Sequence, residues 1–285
     1  MVLKAFLSRR SPEKKKNLER FLPDSERLRL EELPSFPEEV TPEGFSNRTI
    51  LEQVHWSWLL PTLKTYSEQE QNLFLSAIAI QIPQTARSLA HALQIPEPNE
   101  TREMNEAARS FLRGILSNSL IGPKDRLLPI DYLPPTPLKP LLWLSKKELT
   151  RLIDLLSMHD LAAELRQIVE TKILKKIYSL LSEEERKFLK TATSRKEAFS
   201  LPRLGLERWD GSEESLRLLL HRRGLARFGT ALSGQDPDFI WYICHRLDIG
   251  RGNTLFKLCS KEESSPEIAE TIIQQIEEIV NTLNL

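Results

Sequence analysis

The residues of this 285-residue chain that could do chemistry are few: five histidines, two cysteines and one glycine-bearing turn. His55, His91, His159, His221 and His245 never pair at i,i+4 around a Glu, the spacing that sets two imidazoles on one helix face to hold zinc. Cys244 and His245 are adjacent and point apart on a helix, and Cys259 stands too far along to complete a zinc knuckle. Both cysteines read as small buried hydrophobes. The run from Asp248 through Gly250 and Gly252 to Asn253 lacks the Lys-Ser/Thr of a phosphate loop, so its glycines are expected to end a helix. No G-x-S-x-G is present. His159-Asp160 could orient a base, but no nucleophile in a recognisable context accompanies it, and the pair reads as surface turn. The expectation is a non-enzymatic chain with no cofactor and no metal.

Surfaces that could bind a protein are more evident. His55 and Trp56 open a helical stretch, and Trp is enriched where interfaces concentrate their binding energy. Trp58, four residues after Val54, is read as core. Arg217, Arg222, Arg223 and Arg227 form a basic cluster that could face acidic partner residues. As solvated charges they are expected to add little to stability, so reversing Arg222 and Arg223 should leave the fold intact. A third candidate is the segment from Ser265 to Leu285, with Pro266 suited to a first turn and Ile268, Ile272, Ile276, Ile279, Val280 and Leu283 along one side. It could cap the stack internally or dock into another protein's groove.

Forty Lys and Arg balance forty Asp and Glu, so no global field draws the chain to nucleic acid or to anionic lipid. Two cysteines suit a reducing compartment. The basic run follows the short apolar patch at the N-terminus, the reverse of a signal peptide, and no stretch nears the roughly 18 apolar residues of a membrane span. A soluble, cytoplasmic protein is expected.

The elements that would position these surfaces are helices. Residues 1–46, basic and then acidic with Pro34, Pro37 and Pro42, read as a flexible charged arm. A helical module is expected over 47–122. It begins with Ile50, Leu51, Val54 and Trp58, continues through a Ser67–Glu70 capping box and a first-turn Pro83, and ends with a helix from Asn99 to Gly122. Residues 123–141, with Pro129, Pro134, Pro135, Pro137 and Pro140, read as a semi-rigid linker or a strap laid over a surface. Helical periodicity then fills 142–285, and strand-like alternation is absent. The fold class expected is all-α, an elongated array of armadillo/HEAT-like helical modules.

Sliding the C-terminal part on itself by 67 residues aligns Leu149 with Leu216, Leu152 with Leu219, Ile153 with Leu220, Leu161 with Phe228, Leu165 with Leu232, and Ile173 with Ile240. Each unit reads as three helices, and a weaker third copy is read at an offset of 102, with Leu59, Leu63, Leu75 and Ile78 on Leu161, Leu165, Ile177 and Leu180. Repeated units that bury faces against their neighbours commonly serve protein binding.

The stretch from Leu225 to Leu255, with Ala231, Leu232, Gly234, Phe239, Ile243 and Leu247 in register, resembles the C-terminal armadillo-type module of the flagellar rotor switch protein FliG. The segment from Val54 to Pro83 resembles the FliG middle module, in which a His-containing motif opens a helix. Together the resemblances cover about 48–95 and 142–260. Val54, Trp56 and Ser57 replace the residues that flank His in the family motif, and Arg246, Asp248 and Arg251 are what matches its torque-helix charges. A FliG-like chain without the motor surface resembles the SctK-type accessory protein of the flagellum-related type III secretion apparatus. That resemblance implies an adaptor between the inner-membrane ring and the cytoplasmic sorting platform, with secretion-ring and sorting-platform subunits as partners. His55, Trp56, Arg217, Arg222, Arg223, Arg227 and Arg246 are its candidate protein contacts. The alternative is a soluble helical regulator or chaperone-like binder of secreted proteins.

Overall fold

The computed structural model of the chain describes residues 19–32, 47–98, 104–121, 127–194, 204–206, 209–260 and 265–283, together with Lys4, Leu7 and Lys16. Every regular element among the described residues is helical. The N-terminal arm is not wholly irregular, contrary to expectation: α1 (Asp24–Glu32) is a helix without a buried residue. Leu7 is buried, and Lys4 Nζ donates to the Glu31 carbonyl at 3.2 Å. The acidic, proline-punctuated stretch 33–46 lies outside the described residues.

The first module runs through α2 (Asn47–Gln53), a 3-10 turn (Trp56–Trp58), α3 (Leu60–Leu63), α4 (Glu68–Ala79), α5 (Pro83–Leu93) and α6 (Glu106–Ile121). The periodicity from Ile50 to Trp58 suggested one helix. His55 instead takes extended backbone (φ −70°, ψ 136°), and its ring accepts from the Ser57 N–H, so the side chain starts a new turn rather than continuing the old one. The capping box is present at α4: Ser67 N donates to Glu70 Oε2 at 2.8 Å, and Glu70 N donates to Ser67 Oγ at 3.4 Å. Pro83 sits in the first turn of α5, which ends on Gln94 in the left-handed region (φ 59°). The last helix starts at Glu106, later than Asn99; residues 99–103 lie outside the described set. Leu51, Leu59, Leu63, Phe74, Leu75, Ile78, Leu89 and Leu116 fill this module's core.

From residue 127 onward the proline-rich segment is a strap rather than a spacer. Prolines keep it extended or in 3-10 turns (Ile130–Tyr132 and Lys139–Trp143), while Ile130, Leu133, Leu138, Leu141, Leu142 and Leu144 are buried in the second core. Polar ties fix it. Tyr242 Oη donates to the Leu128 carbonyl at 2.9 Å, Leu128 N donates to Asp238 Oδ2 at 3.0 Å, and Thr136 Oγ1 donates to Gln235 Oε1 at 2.6 Å.

The second core holds α7 (Lys146–Leu165), α8 (Thr171–Leu180), α9 (Glu183–Ser194), α10 (Glu213–Leu232), α11 (Pro237–Arg246), α12 (Ile249–Cys259) and α13 (Pro266–Leu283). Adding 67 to the limits of α7 gives 213 and 232, the limits of α10. The same shift sends α8 to 238–247 and α9 to 250–261, against the observed Pro237–Arg246 and Ile249–Cys259. Ser145 and Ser212, one shift apart, cap the two long helices, each side chain accepting from the backbone N–H three residues on. Shifted by 102, α4 and α5 would span 170–181 and 185–195, beside the observed Thr171–Leu180 and Glu183–Ser194; the counterpart of α7 is there broken into α2, the 3-10 turn and α3.

Helices α7 and α10 pack side by side in the same direction, since the contacts Asp154–His221 and Asp160–Arg227 rise together along both. They pack closely because Gly224 has no side chain: a Cβ there would fall 1.9 Å from the Ile153 carbonyl oxygen. Helix α13 lies on the stack with Ile272, Ile276 and Ile279 at no more than 1% exposure. The two cores are not independent. His55 N donates to the His245 carbonyl at 2.7 Å, Trp58 Nε1 to the Leu247 carbonyl at 2.8 Å and Ile249 N to Ser57 Oγ at 2.9 Å.

Candidate functional site: the arginines of α10 and the clasp between modules

The basic cluster spans eleven residues of one helix, Arg217 to Arg227, and the 100° step between successive residues spreads it around the axis. Arg227 points inward. Its side chain is fully buried, donating from Nη1 to Asp160 Oδ1 at 2.6 Å and from Nη2 to Gln275 Oε1 at 2.8 Å. It therefore ties α7, α10 and α13 together and is not part of a solvated face. Asp160, 7% exposed, and His159, 8% exposed, lie inside α7 and not on a turn, and His159 meets the Phe188 ring edge-to-face at 5.4 Å. Arg223 stands between the extremes, its Nε 3.4 Å from Asp160 Oδ2 and its side chain 16% exposed. Arg217 donates from Nη2 to the Leu180 carbonyl at 2.6 Å and from Nη1 to Glu185 at 2.5 Å, so it latches α8 and α9 to α10. Of the four, Arg222 alone is exposed, and it holds no carboxylate among the described residues.

His55 and Trp56 are half-buried and serve the clasp between modules. The Trp56 ring packs on the first core, tilted against His55 at 5.2 Å. His55 Nδ1 shares a hydrogen bond with Ser57 Oγ at 2.9 Å, and its Nε2 lies 3.5 Å from Lys146 Nζ. Burial, then the neighbouring Lys146 charge, brings its pKa down to about 4. Trp58, expected in the core of its own module, instead reaches the second: its ring lies 4.1 Å from that of His245, which stacks on Trp241 at 3.7 Å. Burial likewise lowers His245 to about 4, against a weaker opposing bond to the Trp241 carbonyl. Gly252 allows this approach, since a Cβ there would meet Trp58 Cζ2 and the Cys244 carbonyl oxygen, each at 2.4 Å. Gly250 and Gly252 lie in the first turn of α12 and do not end a helix.

Arg246 does not present a free charge either. It donates from Nη1 to the Leu144 carbonyl at 2.9 Å and from Nη2 to Gln53 Oε1, and burial lowers its pKa. Beside it runs a polar chain across three helices. His221 Nδ1 pairs with Asp154 Oδ1 at 2.7 Å, and Arg251 Nε donates to His221 Nε2 at 2.9 Å. One tautomer, with the proton on Nδ1, satisfies both contacts. Arg251 Nη1 also donates to Asp248 Oδ2 at 2.5 Å, and Lys146 lies 3.4 Å from the same oxygen. Burial works to raise the Asp248 pKa, but the Arg251 hydrogen bonds and the two cations bring it to about 2. Asp248 also caps α12 through the Arg251 N–H.

Among the described residues, no group of three or more His, Cys, Asp or Glu is placed to hold a metal ion, and no helix is long and apolar enough to cross a membrane. Cys244 is fully buried and Cys259 half-buried; both are free thiols, and burial raises both, Cys259 to about 11. No family model, curated protein or solved structure matches the chain.

The sequence singled out the arginines by type, and the structure divides them by direction: Arg227 inward, Arg223 and Arg217 to neighbouring helices, Arg222 outward. Trp58, Asp160, Gln275 and Leu218 were not among the candidate contacts. The signal that could have found Asp160 was the offset itself, since Asp160 and Arg227 are 67 residues apart.

Proposed function

We propose that the chain is a non-enzymatic adaptor built as an armadillo/HEAT-like stack. In this reading it links the inner-membrane ring to cytoplasmic sorting-platform components of a flagellum-related type III secretion apparatus. The observation that carries the scaffold part is the recurrence of the α7–α9 helix limits in α10–α12, with equivalent positions such as Asp160 and Arg227 in direct contact. Stacks of this kind offer extended, rigid surfaces whose usual work is holding other proteins. The secretion context is supported by the FliG-like phrases over 54–83 and 225–255, which is a warrant by analogy. The Trp58–His245 clasp adds to the reading, because it would hold two helical modules as one body on which partners keep a fixed spacing.

Affinity purification of the tagged chain from its native cell, after mild crosslinking, is the test. Recovery of an inner-membrane ring protein together with a platform subunit is expected. Recovery of secreted proteins without either would overturn the adaptor reading in favour of a chaperone-like binder.

A further inference from the structure

Helices α7 and α10 occupy equivalent places, yet one stripe is covered on the first and open on the second. On α7 the stripe comprises Arg151, Leu152, Leu155 and His159. Arg151 pairs with Glu184 of α9, donating from Nε to Oε2 at 3.0 Å, and His159 meets Phe188 of the same helix. Leu152, Leu155 and His159 are at most 8% exposed. Shifted by 67, the stripe becomes Leu218, Leu219, Arg222 and Ala226. There Leu218 is 51% exposed and Arg222 is exposed. The third helix of the second set, α12, meets α10 from another side, through His221–Arg251 and through Gly229 beneath Leu258. What remains over the stripe is a groove of about 450 Å³, whose lining includes Leu204, Leu218, Leu219, Arg222, Arg223 and Ala226.

Its chemistry specifies an occupant. Arg217, Arg223, Arg227 and Arg251 each hold a carboxylate within 4 Å, and Arg222 holds none among the described residues. An exposed leucine one turn from an unengaged guanidinium calls for a helix with an apolar side chain and a carboxylate one turn apart. That is the pair α9 offers to α7 with Glu184 and Phe188, met here with charge and apolar positions exchanged along the stripe. We propose that the groove on α10 seats an amphipathic helix of a partner protein, which places an apolar side chain against Leu218 and a carboxylate on Arg222. The inference rests on the reading of the chain as a protein-binding scaffold and names the chemistry of one partner contact.

The test uses the full-length chain and a stapled, fluorescent peptide of the α9 sequence, residues 183–194, carrying Glu184→Phe and Phe188→Glu. Anisotropy should show saturable binding at low ionic strength. Arg222→Glu should weaken it about tenfold, the scale of one charge-assisted contact, and Leu218→Asp should abolish it. A peptide with Phe188→Lys should reverse the preference and bind the Arg222→Glu chain better than the wild type. Both substitutions are at exposed positions, and circular dichroism melts would verify that the variants fold. Absence of saturable binding, or equal binding by wild type and both variants, overturns the proposal. So does sedimentation showing that Leu218→Asp turns a dimer into a monomer, which puts a second copy in the groove. Peptide binding that appears only after deletion of residues 1–46 also overturns it, by giving the groove to the chain's own acidic segment. Because protein and peptide are both defined, failure here leaves the co-purification test of the adaptor reading standing on its own.

Discussion

Arg222, Arg223 and Arg227 lie within six residues of one helix, and truncating each to Ala should cost stability in proportion to its burial. Arg222→Ala removes an exposed side chain that holds no carboxylate among the described residues, and should stay within about 0.5 kcal/mol of wild type. Arg223→Ala gives up an ion pair at 3.4 Å, not a hydrogen bond, from a side chain 16% exposed, worth about 1 kcal/mol. Arg227→Ala is different in kind. It takes the 2.6 Å Arg227 contact from the Asp160 carboxylate, 7% exposed, which keeps the longer contact to Arg223, and takes one donor from Gln275. Removing one member of a buried pair costs about 3–5 kcal/mol when the other is left unpaired, and the Arg223 contact that Asp160 keeps holds the expected loss toward the lower end of that range. The double variant Arg227→Met, Asp160→Leu should recover most of that loss, since apolar side chains of similar volume can replace a buried pair. Urea unfolding followed by far-ultraviolet circular dichroism gives the ranking. A cost for Arg227→Ala no larger than that for Arg222→Ala would refute the assignment of Arg227 to the interior. The same geometry alters the expected outcome of reversing both Arg222 and Arg223: Arg223→Glu sets a second carboxylate against Asp160, so the double reversal should destabilise the fold.

Gly224→Ala should destabilise although Ala is the better helix former by about 1 kcal/mol, because its methyl would lie 1.9 Å from the Ile153 carbonyl oxygen. Prying α7 from α10 costs about 1–3 kcal/mol or more, and Gly234→Ala, with nothing within 4 Å of its Cβ, is the control in the same urea titration. Trp58→Phe should lose the bond to the Leu247 carbonyl while keeping an aromatic ring, lowering stability by about 1 kcal/mol, and should raise hydrogen exchange at His55 N and Ile249 N on the clasp. Acid should weaken the fold through His245. Its folded pKa of about 4 lies below the ordinary 6.5, so its contribution is fully present above pH 6.5 and is lost as pH falls through that window toward 4. The contribution is on the order of 3 kcal/mol, and His245→Phe should flatten the acid limb of stability measured against pH.

The helical class, the capping box at Ser67, the first-turn prolines and the 67-residue shift were all legible because each is local or periodic. A hydroxyl three residues before a glutamate, or leucines at helical spacing, need no knowledge of the remote chain. What periodicity cannot give is which way a polar side chain faces. Arg222 and Arg227 look alike in sequence, and only the position of α7 decides that one meets water and the other Asp160. Trp58 was misread for a related reason. Its i+4 spacing from Val54 presumes a continuous helix, and the His55 ring breaks that helix by bonding the Ser57 N–H. The strap was legible only as an alternative to a linker, since prolines report an extended backbone but not what lies beneath it. Leu218 left no signal at all: an exposed leucine on an amphipathic helix is identified only by the solvent around it.

The contacts at Asp154–His221 and Asp160–Arg227 join residues 67 apart, which is the shift between the two units. At such positions each unit faces its own image. Two units with one sequence would set Asp against Asp, or Arg against Arg, in the interior between α7 and α10, and like charges buried together repel by several kcal/mol. The close approach obeys the same logic: Gly224 corresponds to Ser157, and a serine at 224 would strike the Ile153 carbonyl that the glycine clears. Twins could not stack in this way. Divergence between the halves is therefore a condition of their fitting together, and a perfected duplicate of either half would be a poorer neighbour than the imperfect one it has.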